Sequence, residues 1–139
     1  MNFATRAVIP ALWASIALAG CDSTSPNEEV AGSYAATTFL YIPTGQQPQD
    51  VLAAGGSLAI GLTGDGTTTG TLFVPATITG TGDLIESMAG TFTRTGATLT
   101  FDQEADTFVR DVTWTVSRNT LTGTYSDADA SIEVTLSIE

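Results

Sequence analysis

The chain lacks most of the side chains on which catalytic and metal-binding sites depend. It has no histidine and a single cysteine, and its four basic residues are all arginines. Without histidine, the usual Cys/His zinc sites and His-dependent nucleophilic catalysis are excluded. One cysteine also excludes an intramolecular disulfide. Carboxylates, hydroxyls and arginine remain, so the residue inventory predicts a protein that is not an enzyme and uses no cofactor.

Positive charge is scarce as well. Four arginines stand against 15 acidic residues, and the formal net charge is −11. A nucleic acid partner requires a basic stripe that displaces counterions from the phosphates. The sequence therefore predicts no nucleic acid partner.

Apolar runs long enough to cross a membrane are also missing. The apolar stretch at residues 7–19 has 13 residues and includes Pro10, whereas a membrane-spanning helix needs about 20. Arg6 precedes this stretch and small residues follow it, as in a secretory signal peptide. We therefore expect residues 1–20 to direct export and to be removed.

The expected signal peptide is followed by a cysteine in the run Leu18-Ala19-Gly20-Cys21. This run resembles the lipobox of bacterial lipoproteins, in which a diacylglyceryl group is attached to the cysteine thiol and the leader is cut just before it. The resemblance implies that Cys21 anchors the mature protein to a membrane of the bacterial cell envelope. An ordinary secretory signal with an incidental cysteine is the alternative. Asp22 resembles an inner-membrane retention signal, but that rule varies between lineages, so the choice of membrane stays open.

The residues after Cys21 indicate a tether and then one domain. Residues 22–30 are polar, include Pro26 and show no periodicity, which predicts a flexible segment. The composition changes at Gly32, where glycine, threonine and period-two alternation become frequent. We therefore divide the chain into a signal peptide (1–20), a lipidated cysteine with its tether (21–31) and one domain (32–139).

Alternation in the domain predicts β-strands. The chain holds 25 threonines, a residue type that favours the half-buried surface of a sheet. In the last run, Ile132, Val134 and Leu136 face one way and Glu133 and Thr135 the other, as in a strand with one wet face. The predicted strands are the eight runs at residues 33–42, 58–62, 68–74, 88–94, 98–102, 112–116, 120–126 and 131–138.

Short consecutive strands joined by hairpins favour an all-β fold, either an eight-stranded antiparallel up-and-down barrel or a β-sandwich. A closed barrel leaves no unpaired edge for another chain to join. The domain opens on Gly32-Ser33-Tyr34, which resembles the Gly-x-Trp start of lipocalin-like barrels, with tyrosine in place of tryptophan. The resemblance implies a lipocalin-like barrel, with the sandwich as the alternative.

The same alternation selects side chains for the barrel interior. Tyr34, Phe92, Phe101, Trp114 and Tyr125 are predicted to line a cavity for a small apolar or amphipathic ligand. Small residues on the inward face predict free space beside them. These small residues are Ala36, Gly70, Gly90, Ala97 and Gly123.

The first loop, residues 43–55, carries Val51 and Leu52 among prolines and glycines. A purely solvated connection does not need two such apolar side chains. We expect them to fold back over one end of the barrel, either as a lid over a cavity or as a plug in a filled core.

Arg110 is also a candidate ligand-binding residue. Alternation with Phe108, Val112 and Trp114 places it on the inward face, where an unpaired guanidinium is costly. Three interpretations remain: a bulge near Val109 that turns Arg110 outward, an internal ion pair, or a contact with an anionic ligand.

The acidic loop Asp102, Glu104 and Asp106 has the spacing of the first ligands of a calcium loop. Such a loop needs glycine at its sixth position and glutamate at its twelfth, where this chain has Thr107 and Thr113. A solvated acidic turn is the better interpretation, and we expect no metal site.

Two functions remain from these observations. The first is a membrane-anchored binding protein that holds a small apolar ligand inside the barrel. The second is a structural or interaction protein of the cell envelope whose barrel is filled by its own side chains. An internal cavity and its lining distinguish the two.

Overall fold

The computed structural model describes residues 26–139, so the predicted signal peptide and Cys21 lie outside the described residues. Strands and hairpins dominate this part of the chain, and the only helices within it are single turns. The strands are β1 (Gly32–Pro43), β2 (Gln49–Asp50), β3 (Ser57–Leu62), β4 (Thr67–Val74), β5 (Leu84–Ser87), β6 (Gly90–Thr95), β7 (Thr98–Gln103), β8 (Thr113–Ser117), β9 (Thr120–Ser126) and β10 (Ala130–Ile138). The helical turns are a 3-10 turn (Glu28–Val30), α1 (Ala76–Thr79) and α2 (Phe108–Asp111).

Eight strands close into an antiparallel barrel. Around the barrel they follow the order β1, β3, β4, β6, β7, β8, β9, β10, and β10 pairs back onto β1. Neighbours in sequence are neighbours in the sheet, so the topology is up-and-down. The predicted lipocalin-like barrel is confirmed, and its eight strands are the eight that the alternation indicated. A sandwich is excluded because one continuous sheet returns to its own first strand.

The two additional strands lie at the edges of this barrel. β2 pairs with β1 through Leu40 and Tyr41. β5 pairs with the second half of β4, whereas β6 pairs with the first residues of β4, so β5 and β6 continue one another along that strand. Met88 is fully buried at the break between them. Its carbonyl accepts hydrogen bonds from Thr68 Oγ1 at 2.6 Å and Gln103 Nε2 at 3.2 Å.

The inward side chains of the barrel form one apolar core. In β10, Val134 and Leu136 are buried while Glu133 is exposed, as the alternation predicts. β1 departs from strict alternation. Tyr34 and Phe39 are both buried although they are an odd number of positions apart. Its pairing with β10 shifts between Ala36 and Thr38. This bulge exchanges the two faces of the strand.

One end of the barrel, which we call the closed end, is covered by the 3-10 turn that precedes β1. Val30 is buried there, and its carbonyl accepts a 2.9 Å hydrogen bond from the Tyr34 hydroxyl. Burial raises the pKa of Tyr34, and the nearby Arg94 partly offsets this effect. The last residues of the predicted flexible tether therefore belong to the packed barrel.

Arg94 is the arginine on the inward face of a strand. It follows Gly90 and Phe92 on alternate positions of β6, and its side chain is only 16% exposed. At the closed end it forms an ion pair with Glu29 at 2.8 Å and donates to the carbonyl oxygens of Pro26 and Gly96. This half-buried guanidinium is thus paired, which offsets its desolvation cost.

Candidate functional site

The end of the barrel opposite the closed end, which we call the mouth, holds an apolar pocket of about 190 Å³. An apolar cavity of about 150 Å³ takes up benzene in another protein, so this pocket has room for an aromatic ring or a short alkyl segment. Its lining comes from strands at the mouth and from the segments that connect them. The lining residues are Phe39, Tyr41, Val51, Val74, Ile78, Thr79, Leu84, Phe108 and Ile132.

The first loop contributes Val51 to the pocket. The Val51 amide donates to the Phe39 carbonyl at 2.9 Å, and the Gly56 amide donates to the Val51 carbonyl at 2.8 Å. Val51 is buried and Leu52 is half-buried. The prediction that this loop folds back over one end of the barrel is therefore confirmed, with Val51 as the side chain that enters the core.

A second wall is formed by the connection between β4 and β5. Pro75, whose fixed φ suits a helix start, precedes α1, and Gly80 ends it at a φ of 77°. The Asp83 carboxylate accepts a hydrogen bond from the Ala76 amide at 2.9 Å, which ties the two ends of the connection together. This arrangement places Ile78 and Leu84 against the pocket.

The third wall is α2, and it corrects the prediction for Arg110. Residues 108–111 form one helical turn instead of the start of a strand. The turn directs Phe108 onto Phe39, with ring centroids 5.7 Å apart. Val109 is fully buried, and Arg110 points to the surface, where it pairs with Asp106 at 2.6 Å. Of the three interpretations, the bulge came nearest, because Val109 lies inside and Arg110 outside.

The aromatic side chains predicted to bind a ligand do not line the mouth pocket. Tyr34, Phe92, Phe101 and Trp114 lie in the core with at most 4% of their surface exposed. Tyr125 is half-buried, and its hydroxyl donates to Asp127 at 3.2 Å. That hydrogen bond and the charge of Asp127 raise the pKa of Tyr125.

Glycines that were expected to leave free space do not do so. A Cβ on Gly70 would lie 2.0 Å from the Ala59 carbonyl oxygen, and one on Gly90 would lie 2.4 Å from that of Asp102. At Gly123 the space is taken by Val112 and by the Trp114 ring, whose Cε3 would lie 2.9 Å from a Cβ. Among the other small residues, Ala97 is exposed in a hairpin. The barrel is therefore filled around Trp114.

Polar groups are few around the pocket. In the turn after α1, Thr79 Oγ1 donates a hydrogen bond to the Gly82 carbonyl and accepts one from the Gly82 amide. Within residues 26–139, the Tyr41 hydroxyl forms no hydrogen bond. Two buried oxygens elsewhere in this range, Gln103 Oε1 and Thr107 Oγ1, also have no hydrogen-bond partner.

The acidic loop does not gather into a metal centre. Asp106 pairs with Arg110, and the Glu104 amide donates to the Ala89 carbonyl at 3.1 Å. Among residues 26–139, no group of three or more His, Cys, Asp or Glu side chains is placed to hold a metal ion. No helix in the same range is long and apolar enough to cross a membrane.

No protein family, characterised protein or solved structure matches this chain. The mouth pocket therefore has to be interpreted from its own residues. Sequence reasoning missed Phe39, Ile78 and Phe108, which meet only after the barrel closes. The signal for Phe39 was weak, because the run Ala36-Thr37-Thr38 before it shows no alternation.

Proposed function

We propose that this protein is a membrane-anchored exported lipoprotein that binds a small apolar molecule in the mouth pocket of its barrel. The observation that carries the proposal is an apolar pocket of about 190 Å³, open at the mouth of an otherwise filled barrel. Ligand pockets in proteins are typically concave, apolar and provided with a few polar groups that fix orientation. Here Tyr41 and Thr79 are the lining residues that carry a hydroxyl group.

The packing below the pocket limits the size of that ligand. Trp114 and Phe101 meet edge to face, with centroids 5.8 Å apart, and close the interior beneath the mouth. The ligand is therefore a single ring or a short chain, or the end of a longer molecule whose remainder lies outside. Deep insertion along the barrel axis is not compatible with this core.

The filled core also supports the second candidate, a structural or interaction protein of the cell envelope. In that case the mouth pocket is a packing defect without an occupant. The two candidates differ in whether a molecule enters the pocket with measurable affinity.

Substitutions on β5 test the binding function with a matched control. Leu84 lines the pocket and Ile85, its neighbour on the strand, faces away and is 66% exposed. Leu84→Trp should fill the pocket, whereas Ile85→Trp should leave it open. Both positions are on the surface, so neither variant should alter the melting temperature by more than a few degrees.

The measurement is binding of a neutral naphthalene dye whose emission rises in apolar surroundings. We expect Leu84→Trp to weaken dye binding at least about tenfold, which corresponds to about 1.4 kcal/mol, and Ile85→Trp to leave it unchanged. Equal affinities of both variants and the wild type, or no dye binding at all, would favour the structural candidate.

The anchor is tested separately at Cys21. If the lipobox resemblance holds, the protein from its native membranes carries an acylated Cys21 and Cys21→Ser does not fractionate as a processed membrane protein. Mass spectrometry of the mature N-terminus provides the measurement. A free Cys21 thiol in the mature protein would contradict the proposed anchoring.

A further inference from the structure

The segments at the mouth carry half of the acidic residues in the described part of the chain. Of the 15 acidic residues, all but Asp22 lie in the described range, which leaves 14. Seven of these are exposed carboxylates on mouth segments, against one base, Arg110, which gives a net charge of −6. The seven are Asp50, Asp83, Glu104, Asp106, Asp111, Asp127 and Asp129.

The closed end is much less charged. Its connecting segments and chain ends carry four acidic residues, and two arginines lie among them, which gives a net charge of −2. These residues are Glu28, Glu29, Asp65, Glu139, Arg94 and Arg118. The negative charge of the barrel is therefore concentrated around the opening of the pocket.

Several mouth carboxylates are direct chain neighbours of pocket-lining residues. Asp50 precedes Val51, and Asp83 precedes Leu84. Consecutive Cα atoms are about 3.8 Å apart, so the backbone of these two acidic residues lies directly beside the apolar lining. Each also has a structural role, because Asp50 accepts from the Ala53 amide and Asp83 from the Ala76 amide.

We infer that the mouth pocket selects apolar molecules with a positively charged head group, such as a primary amine, over those with a carboxylate. This inference rests on the proposed function. The pocket accepts the apolar part, and the carboxylates of the mouth segments then decide which head group is tolerated at its opening. A fatty acid or other anionic amphiphile has to bring its charge among these carboxylates, whereas an ammonium group is attracted to them.

The size of the effect follows from Coulomb attraction near water. A unit charge about 8 Å from one carboxylate gains or loses roughly a factor of two in affinity in water. With two such carboxylates, an ammonium gains about fourfold and a carboxylate loses about fourfold. The ammonium should therefore bind at least about tenfold more tightly than the carboxylate on the same skeleton.

The test uses three probes that differ in one group: 4-butylbenzylamine, 4-butylbenzyl alcohol and 4-butylbenzoate, at neutral pH. Their affinities for the purified full chain are measured by ligand-observed NMR. The ionic strength is set at about 0.01 M and about 1 M, where the Debye length is about 30 Å and about 3 Å. At low salt we expect the order amine, alcohol, benzoate, and at high salt the three affinities should converge.

A charge variant isolates the rim. Asp50→Asn with Asp83→Asn keeps a side-chain oxygen to accept from the Ala53 and Ala76 amides and should reduce the amine-to-benzoate ratio at least about tenfold. The matched control, Asp65→Asn with Glu139→Gln, removes the same charge at the closed end and should leave the ratio nearly unchanged.

The outcomes separate the two proposals. The charge selectivity is wrong if the alcohol binds and the benzoate has the same affinity as the amine. It is also wrong if both double variants change the amine-to-benzoate ratio equally. In either case the proposed binding function of the pocket stands. If none of the three probes binds, the pocket function is wrong and the selectivity falls with it.

Discussion

Substitution of Gly123 by alanine tests whether the lower barrel is filled. The new Cβ would lie 2.6 Å from Val112 Cγ1 and 2.9 Å from Trp114 Cε3, well inside the optimal carbon–carbon separation of about 3.5–4.0 Å. The Trp114 side chain cannot easily move away from a new Cβ, because it is fully buried and its Nε1 donates to the Val109 carbonyl at 3.2 Å.

The magnitude is a balance of two terms. Overpacking of this kind typically costs about 1–3 kcal/mol, and replacement of glycine by alanine within a strand returns about 0.5–1 kcal/mol. We therefore expect Gly123→Ala to lower the free energy of unfolding by about 1–2 kcal/mol. Gly61→Ala is the matched control, because its Cβ meets only Thr69 Oγ1, at 2.8 Å, on an exposed side chain that can rotate away. Its effect should be near zero or slightly stabilising.

A double-mutant cycle identifies the contact. Trp114→Phe removes the outer ring that crowds Gly123, so Gly123→Ala should cost less in that background, with a coupling of about 1 kcal/mol or more. The free energy of unfolding of all four proteins is measured by urea unfolding followed by far-UV circular dichroism. Tryptophan fluorescence is not suitable, because the Trp114→Phe variants lack Trp114. If Gly123→Ala is as mild as Gly61→Ala and the two changes are additive, the interior at this level is not filled. The aromatic lining predicted from the sequence would then again be a candidate ligand site.

Two further predictions concern the loop and the closed end. Val51→Ser should lower the melting temperature clearly, because burial of such a side chain contributes about 1.5–3 kcal/mol, whereas Leu52→Ser should do less; equal small effects would show that the loop does not enter the core. Tyr34 has a pKa raised above 10.0 by burial, so its contribution to stability is intact below pH 10 and is lost as the pH rises through the folded-state pKa. Tyr34→Phe should flatten the stability profile above pH 10 and cost about 1 kcal/mol at neutral pH for the lost hydrogen bond to Val30; an unchanged alkaline profile would contradict this assignment.

The fold could be predicted from the sequence because period-two alternation is a local signal. In a run such as Ile132 to Leu136, the alternation itself indicates which side chains point inward, whatever strands lie beside it. Turn residues separate one run from the next. Closure of the sheet followed from the strand count and from the cost of free edges. The β1 bulge was hidden, because the Ala36-Thr37-Thr38 run shows no difference between its two faces.

The pocket could not be predicted in the same way. Its walls come from α1, α2 and the first loop, and the positions of these segments depend on which strand ends meet at the mouth. Phe108 and Arg110 continue the alternation of β8, which favoured a strand, but α2 makes one helical turn there, which keeps Phe108 against the pocket and turns Arg110 to the surface. Arg94 carries an inward signal through its alternation with Phe92, so its position on the inner face could be predicted from the sequence.

The position of the 3-10 turn has a consequence for an anchored protein. If Cys21 carries a lipid, four residues connect it to Pro26, which Arg94 holds at the closed end, and the five steps from Cys21 to Pro26 span at most about 18 Å when extended. The 12 residues of β1, tilted as in a small barrel, separate the closed end from the mouth by about 30 Å. The connection is therefore too short for the barrel to invert, so an anchored barrel cannot hold its mouth against the membrane. If the pocket binds a molecule as proposed, transfer through solution or from another carrier is compatible with this geometry.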